Sequence, residues 1–405
     1  MTGHGRASIL GVGNKVSSCK HACFAGQDVG VAVARDVLIL VPGLFGFRSF
    51  GSDPGQIAYF DHVSARIASF TGWSEEQILV HKPGPAEPLA WRVRSLAEAV
   101  ERALAGRLPS LPAVDRVHLI GHSTGGVDVR LLVNSQYRWP GAAANAPFRS
   151  RIGAVVSLSG PHWGTPIARR LRGKLEDILP ELYLASILAK HNRFPIVESL
   201  LFALFTVGID PSKQPSTHVL RAMGQLPAGV ANDVTRFLKR VVDDHGLIHD
   251  LTPLSMARLN RAVIAGECLR VKYYATAAPT PTLARVLNQG LKGGALSAAF
   301  YASAQRLTRP EPAERMSFPT GPWIGERGPG SQSLDEETND GVVPTSSQTL
   351  HGAAAGLVQG DHLDVVGHYP SQRFQGNTLF KSGANFDDDR FDALWRAISK
   401  ELTDV

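Results

Sequence analysis

Short apolar runs alternate with amphipathic stretches along most of this chain. Four of the runs are well marked: Val37–Val41, Asp115–Gly121 ("DRVHLIG"), Ile152–Leu158 and Val271–Ala275. The first run is uninterrupted, which is typical of a strand that is buried on both faces, as in parallel sheets. The pattern therefore predicts an α/β fold built on a mostly parallel, doubly wound sheet.

Amphipathic helices are predicted between and after these strands. Ser95 and Glu98 have the spacing of a capping box, and Gly106 follows the apolar face as a stop signal, so a helix is expected over 95–106. A second helix is predicted at the C-terminus, where one face carries Phe391, Leu394, Trp395, Ile398 and Leu402.

Two segments depart from this alternation. Residues 167–261 carry helical patterns with no strand between them, and within them Ser199–Ile209 is apolar almost all round. A helix of that kind must be buried against protein or lipid. Residues 279–330 are rich in Pro, Gly and Ala, which predicts an irregular insertion. The expected organisation is one domain over residues 1–405 with these two insertions.

Composition narrows the function classes. The net charge of +6 comes from scattered Lys and Arg, so no basic run predicts nucleic-acid binding. No run reaches the ~18 apolar residues of a membrane span, and the N-terminus lacks a long apolar signal region. The compartment stays open, and the expectation is cytoplasmic if the N-terminus is native.

Cysteine and histidine usage gives no metal motif and no disulfide framework. The three Cys are too few for a framework, although Cys19 and Cys23 are close enough in sequence to pair. Fourteen His occur, but without HExxH or paired Cys/His spacing.

The sequence Gly-His-Ser-Thr-Gly at 121–125 stands where a predicted strand passes into a helix. A sharp strand-to-helix turn lifts Ser123 out of the sheet, and crowding explains small residues at Gly121 and Gly125. A serine hydroxyl becomes a strong nucleophile only beside a His base that a carboxylate orients. Ser123 is therefore the candidate nucleophile.

The acid and the base are expected later in the chain, in that order. Asp340 lies in "ETNDGVVP" and His362 in "GDHLDVVGH". Spacing alone does not remove the rival acidic and histidine side chains nearby, which are Asp335, Glu336, Glu337, His351 and His368.

The series of motifs resembles the bacterial true lipases of the α/β-hydrolase fold. The matching pieces are "VPGLFG", "GHSTGG", "SGPHWGTP", "VKYYATA", "NDGVVP" and "DHLDVVGH", in the family's order from about residue 36 to 370. The resemblance implies Ser123 as nucleophile, Asp340 as the orienting acid and His362 as the base.

An oxyanion hole needs two preorganised N–H groups. The resemblance implies that Thr124 and Leu44 supply them, with Gly43 and Gly46 letting the loop after the first strand approach. The alternative for "PGLFG" is an ordinary turn. The family often has His where this chain has Pro42, a change that leaves a backbone donor in place.

Calcium and a lid are further features of this family. Asp364 falls at a plausible calcium-ligand position, but His368 and Gln372 stand where more oxygen ligands would follow. No cofactor is therefore predicted, and a structural calcium with Asp364 as a ligand is left open. Residues 167–261 are expected to form a lid or cap, mobile and fixed versions being equally compatible with the sequence.

The expected activity is hydrolysis of carboxylic esters through an acyl-enzyme, with long-chain acyl esters as substrates and a lipid–water interface as a place of action. A polyester depolymerase or an acyltransferase would use the same triad. The non-enzymatic alternative is a binding module that keeps the hydrolase fold without catalytic activity. The oligomeric state is not predicted.

Overall fold

A computed structural model describes residues 36–44, 49–50, 57–108, 112–143, 146–171, 246–266, 270–279, 295–325, 334–374 and 382–404. Its strands are β1 (Asp36–Val41), β2 (Ser49–Phe50), β3 (Ile57–Ala58), β4 (Ile78–Val80), β5 (Arg116–His122), β6 (Ile152–Leu158), β7 (Val271–Ala277) and β8 (Gly356–Gln359). Its α-helices are α1 (Val63–Thr71), α2 (Leu89–Leu104), α3 (Thr124–Val133), α4 (Pro166–Leu171), α5 (Gly246–Asp250), α6 (Pro253–Val263), α7 (Ala295–Thr308) and α8 (Asp388–Thr403).

Six strands form one parallel sheet in the order β4-β1-β5-β6-β7-β8. The four runs predicted as strands are β1, β5, β6 and β7, at the centre of this sheet. β6 is buried along its whole length, and so is β1 after its first residue. Helices pack around the sheet in contacting pairs, α1 with α8 and α2 with α3. The predicted parallel α/β sheet is confirmed.

Register places the ends of β1 and β5 side by side. Val41, the last residue of β1, is paired with Gly121 of β5. The loop that follows β1 and the turn that follows β5 therefore leave the same edge of the sheet as neighbours. In parallel sheets, ligand sites form at this carboxyl edge.

The helix predicted from Ser95 begins six residues earlier, so the capping-box prediction is wrong. Leu89 is its first residue, and the Leu89 N–H donates to the Asp250 carboxylate at 2.9 Å. The side chain of Glu98 instead pairs with Arg94, one turn earlier on the exposed helix face. A carboxylate from a distant part of the chain thus satisfies the helix start, which local spacing does not reveal.

The two insertions are described only in part. Of residues 167–261, the stretch 172–245 lies outside the described residues, including Ser199–Ile209; helices α4, α5 and α6 cover the two described ends. The irregular structure predicted for 279–330 is wrong over Ala295–Thr308, which forms α7. Gly and Pro flank this helix but do not occur within it, and Ala, the best helix former, recurs along it.

Some predicted features lie outside the described residues, namely Gly46 and all three cysteines. In the ranges given above, no helix combines the length and the apolar character needed to cross a membrane.

Candidate active site

Ser123 occupies the turn between β5 and α3 with an unusual backbone. Its φ is 56° and its ψ is −130°, a conformation that costs a non-glycine residue on the order of 1–3 kcal/mol and is found mainly at functional sites. The Ser123 N–H donates to Leu158 O at 2.9 Å, which fixes the turn to the end of β6. The surrounding structure thus holds a strained serine at the carboxyl edge of the sheet.

Close backbone contacts around this turn account for its glycines. A Cβ atom on Gly121 would lie 2.0 Å from Gly125 O, and one on Gly125 would lie 2.0 Å from Val41 O. No side chain fits at either position without moving β1, β5 or α3. The glycine requirement inferred from the sequence is therefore a packing requirement.

The loop after β1 lies directly against the serine side chain. A Cβ atom on Gly43 would be 2.5 Å from Ser123 Cβ, and the Gly43 N–H is already used by Tyr59 Oη at 2.9 Å. In the described part of the chain, the backbone N–H groups of Leu44 and Thr124 donate to no other residue. These two free donors flank the contact between Gly43 and Ser123.

Asp340 is completely buried, and each of its carboxylate oxygens is hydrogen bonded. Oδ1 accepts the N–H groups of Val342 and Val343 at 2.9 and 2.8 Å. Oδ2 accepts Thr276 Oγ1 at 2.7 Å, Gln348 Nε2 at 3.0 Å and His362 Nδ1 at 2.8 Å. Five donors thus fix the carboxylate facing the histidine.

Asp335 plays a different role from Asp340. It is exposed, and its side chain accepts the Glu337 N–H and the Thr338 hydroxyl of its own turn. Of these two acidic residues, Asp340 is the one that meets a histidine.

His362 is hydrogen bonded to Asp340 through its ring and to His122 through its backbone carbonyl. Its Nδ1 lies 2.8 Å from Asp340 Oδ2, and because a carboxylate only accepts, Nδ1 carries the proton and Nε2 is left as an acceptor. Its carbonyl oxygen accepts His122 Nε2 at 2.9 Å. No hydrogen bond joins Ser123 Oγ to the His362 ring, both being described residues. The structure brings acid and base together directly, and nucleophile and base together through His122.

The loop that carries His362 is fastened at several points. Asp361 Oδ1 accepts the N–H groups of Leu363 and Asp364 at 2.9 and 3.0 Å. Farther on, Trp395 of α8 donates its indole N–H to Val365 O at 3.0 Å. These bonds leave the histidine backbone little freedom.

A buried ion pair supports the loop after β1. Arg92 Nη2 donates to Asp128 Oδ2 at 2.6 Å and to Pro42 O at 2.8 Å. Both side chains are at most 1% exposed. Burial raises the pKa of Asp128, whereas the Arg92 guanidinium opposes that rise. The guanidinium therefore ties α2, α3 and the residue before Gly43 together.

Asp364, the calcium-ligand candidate, forms a buried carboxyl pair with Asp361. Asp364 Oδ2 accepts the Asp361 N–H at 2.9 Å. Burial raises the pKa of Asp361 to about 6, and burial together with the Asp361 charge raises that of Asp364. The described ranges contain no group of three or more His, Cys, Asp or Glu side chains able to hold a metal ion. Calcium at Asp364 is therefore neither supported nor contradicted by these two carboxyl groups, which supply fewer oxygen ligands than the about six to eight that calcium takes.

Four residues that touch the site were not singled out from the sequence: Tyr59, His122, Thr276 and Gln348. They fall on the β3–α1 connection, the end of β5, the end of β7 and the turn after Asp340. Nothing in their local pattern marks them, except that His122 is part of the serine motif itself.

Comparison with known proteins gave similarity in solved structures only. No family model and no curated protein matches the chain. A metagenomic carboxyl esterase is 19% identical, covering 94% of this chain and 80% of its own, with a TM-score of 0.41. Lipase 1 from Pelosinus fermentans is 17% identical, covering 92% and 100%, with a TM-score of 0.47. The Staphylococcus hyicus lipase is 13% identical, covering 91% and 95%, also with a TM-score of 0.47.

The chain's own geometry defines its fold class. A six-stranded parallel sheet has helices packed around it, and a positive-φ serine stands between strand and helix. An aspartate and a histidine bonded to each other follow later in the chain. This arrangement is the α/β-hydrolase fold.

Proposed function

We propose that this protein is a serine hydrolase that cleaves carboxylic esters through an acyl-enzyme. The observation that carries the proposal is the 2.8 Å bond between Asp340 Oδ2 and His362 Nδ1, in a loop whose His362 carbonyl accepts a hydrogen bond from the residue before the strained Ser123. The bond leaves His362 Nε2 as the acceptor of a proton, which is the state a general base requires.

In the proposed first half-reaction, Ser123 Oγ attacks the ester carbonyl carbon while His362 Nε2 takes the hydroxyl proton. The oxyanion that forms accepts the N–H groups of Leu44 and Thr124. As the intermediate collapses, the carbon–oxygen bond to the alcohol breaks, and His362 returns its proton to the departing alkoxide. The acyl group is then bound to Ser123.

In the second half-reaction, His362 takes a proton from water, which attacks the acyl carbonyl carbon. Collapse breaks the ester bond to Ser123, and the proton passes from His362 to Ser123 Oγ as the carboxylic acid leaves. Asp340 stays ionised throughout, because its role is to hold the Nδ1 proton and to stabilise the imidazolium.

We further propose that the substrates are long-chain acyl esters, presented at a lipid–water interface. The base of the 167–261 insertion supports this, because it lies beside the acid. Thr165 N–H donates to Leu251 O at 2.9 Å, and Thr165 Oγ1 donates to Val342 O at 2.6 Å. The Val342 N–H in turn donates to Asp340. The described ends of the insertion are thus hydrogen bonded to the turn that carries the acid, and the sequence between them includes the apolar run 199–209, which suits an acyl chain.

Labelling with a fluorophosphonate probe tests the activity. The wild-type protein and Ser69→Ala, which changes an exposed helix serine, should both be labelled, and Ser123→Ala should not. An unlabelled wild-type protein would favour the binding module. A series of p-nitrophenyl esters then tests chain length: kcat/KM should rise from acetate toward longer acyl chains, and a maximum at acetate would contradict the long-chain proposal.

A further inference from the structure

A continuous line of hydrogen bonds connects the loop after β1 to the histidine loop. The Gly43 N–H donates to Tyr59 Oη at 2.9 Å, Tyr59 Oη lies 2.8 Å from His122 Nδ1, and His122 Nε2 lies 2.9 Å from His362 O. Tyr59 is 7% exposed and His122 is fully buried. The line joins four segments of the chain: the loop after β1, the β3–α1 connection, the end of β5 and the histidine loop.

The direction of every bond in this line follows from its two ends. A carbonyl oxygen only accepts, so His122 Nε2 must carry a proton. A neutral imidazole then has a bare Nδ1, which accepts the Tyr59 hydroxyl. The lone pair of that hydroxyl accepts the Gly43 N–H. All donors therefore point from Gly43 toward His362, and no member is left without a partner.

Both linking side chains stay neutral. Burial lowers the pKa of His122 well below its usual range, and the neighbouring His362 acts in the same direction. Burial raises the pKa of Tyr59 above its usual range. The rings of His122 and His362 have centroids 4.7 Å apart, so a charged His122 would oppose the imidazolium that His362 forms during the reaction. A neutral link holds the base without that repulsion.

We propose that Tyr59 and His122 are positioning residues that hold the Leu44 N–H and the His362 ring in register with Ser123. This inference rests on the ester-hydrolase function proposed above. Gly43 precedes Leu44, and His122 precedes Ser123. The line therefore couples the oxyanion donor, the nucleophile and the base through neutral side chains.

Tyr59→Phe tests the proposal, because it removes the hydroxyl that both accepts from Gly43 and donates to His122. With a dissolved ester, kcat should fall about 10- to 100-fold, since small displacements of catalytic groups cost rates of this order, and KM should change less than about threefold. The Ki of a trifluoromethyl ketone, which forms a tetrahedral adduct with the serine, should rise by a similar factor to the fall in kcat/KM.

Tyr369→Phe is the matched control. Tyr369 is fully buried, and its hydroxyl donates to Asp388 Oδ1 at 2.9 Å. Neither residue belongs to the proposed catalytic group. Thermal unfolding of both variants should show losses of similar size, whereas only Tyr59→Phe should lose kcat. An unchanged kcat in Tyr59→Phe, or an equal loss in Tyr369→Phe, would overturn the proposal.

A second variant covers the case in which Tyr59→Phe does not fold. His122→Asn keeps an oxygen near the Nδ1 position for Tyr59 but loses the donor to His362 O, and the same fall in kcat is expected. Misfolding of both variants while Tyr369→Phe folds would also overturn the proposal, because the pair would then serve stability. A wild-type protein without fluorophosphonate labelling would refute the ester-hydrolase function instead.

Discussion

The side-chain amide of Gln348 lies between Asp340 and strand β7. Its Nε2 donates to Asp340 Oδ2 at 3.0 Å, and its Oε1 accepts the Thr276 N–H at 2.6 Å. The same Nε2 also lies 3.1 Å from Thr276 O. One neutral side chain thus completes the hydrogen bonding of a strand end and orients the carboxylate that faces His362.

Replacing Gln348 by Leu should lower both activity and stability. The buried Thr276 N–H would lose its acceptor, which costs about 1–3 kcal/mol in the free energy of unfolding. Asp340 would lose one of its five donors, and kcat should fall on the order of tenfold, equivalent to about 1.4 kcal/mol. Gln372→Leu, at an exposed position, is the control for kinetics and urea unfolding. Equal kinetics in the two variants would refute the positioning role of Gln348.

Asp340→Asn should be far more damaging than Asp335→Asn. An amide at position 340 cannot hold the Nδ1 proton of His362 as a carboxylate does, so kcat should fall by roughly 10³- to 10⁴-fold. Asp335 bonds only within its own turn, so its kcat should change less than about threefold. Steady-state kinetics on a dissolved ester check both values, and similar losses would require another acid.

Ser123 allows activity and strain to be separated. Ser123→Ala should lose activity on the order of 10⁴-fold or more, and retention of a tenth of the activity would contradict its role as nucleophile. Ser123→Gly should be equally inactive but more stable than Ser123→Ala by about 1 kcal/mol, because glycine accepts the φ of 56° without strain. Thermal unfolding compares the two, and equal stability would show that the turn is unstrained.

The fold was predictable where local pattern and tertiary structure agree. β1 and β6 are apolar runs because both faces of the sheet are covered, and the glycines of the serine turn follow from backbone contact. The start of α2 was not predictable, because Asp250 satisfies it from 161 positions away. Composition hid α7, since its flanking Gly and Pro residues outweighed the Ala-rich stretch between them.

The candidate site divides in the same way. Ser123, Asp340 and His362 belong to motifs with a fixed order along the chain. Gln348, by contrast, acts through a side chain that could make the same bonds from many sequence positions. Tyr59 reaches the site only because the β3–α1 connection passes beside the end of β5. Residues of this kind are recognised from distances, since their type carries no chemical signature.

The carboxyl pair of Asp361 and Asp364 should make stability depend on pH. Both pKa values are raised in the folded protein, that of Asp361 to about 6. From about pH 4 upward, until both carboxyl groups have lost their protons, the folded state therefore binds more protons than the unfolded state. The free energy of unfolding falls as the pH rises through this range. Asp364→Asn should reduce this fall. The stability of the variant relative to wild type should therefore be higher at pH 8 than at pH 5, by about 1 kcal/mol or more.

Urea unfolding at pH 5 and pH 8 measures the effect of Asp364→Asn. Asp335→Asn, an exposed change, should shift stability equally at both pH values. A difference between wild type and Asp364→Asn that is the same at pH 5 and pH 8 would show that the pair does not share a proton.

Polar substitution in the apolar run 199–209 tests the mobile-lid hypothesis. Leu201→Ser or Phe205→Ser should lower activity on emulsified long-chain esters, because an apolar lid surface meets lipid. Activity on dissolved short-chain esters should change far less. Both rates can be measured on one preparation together with thermal unfolding. If Leu201→Ser lowers both activities in parallel with thermal stability, this run belongs to the core and the lid hypothesis is wrong.

The hydrogen bond between Thr165 N–H and Leu251 O joins the chain just before the 167–261 insertion to a residue near the end of that insertion. A segment clamped in this way can change length at little cost to the rest of the molecule, because the entropy of closing a loop grows only with the logarithm of its length, about 0.6 kcal/mol per doubling. The length of the chain between these two residues can therefore change without disturbing the hydrogen bond that holds Asp340 and His362 together.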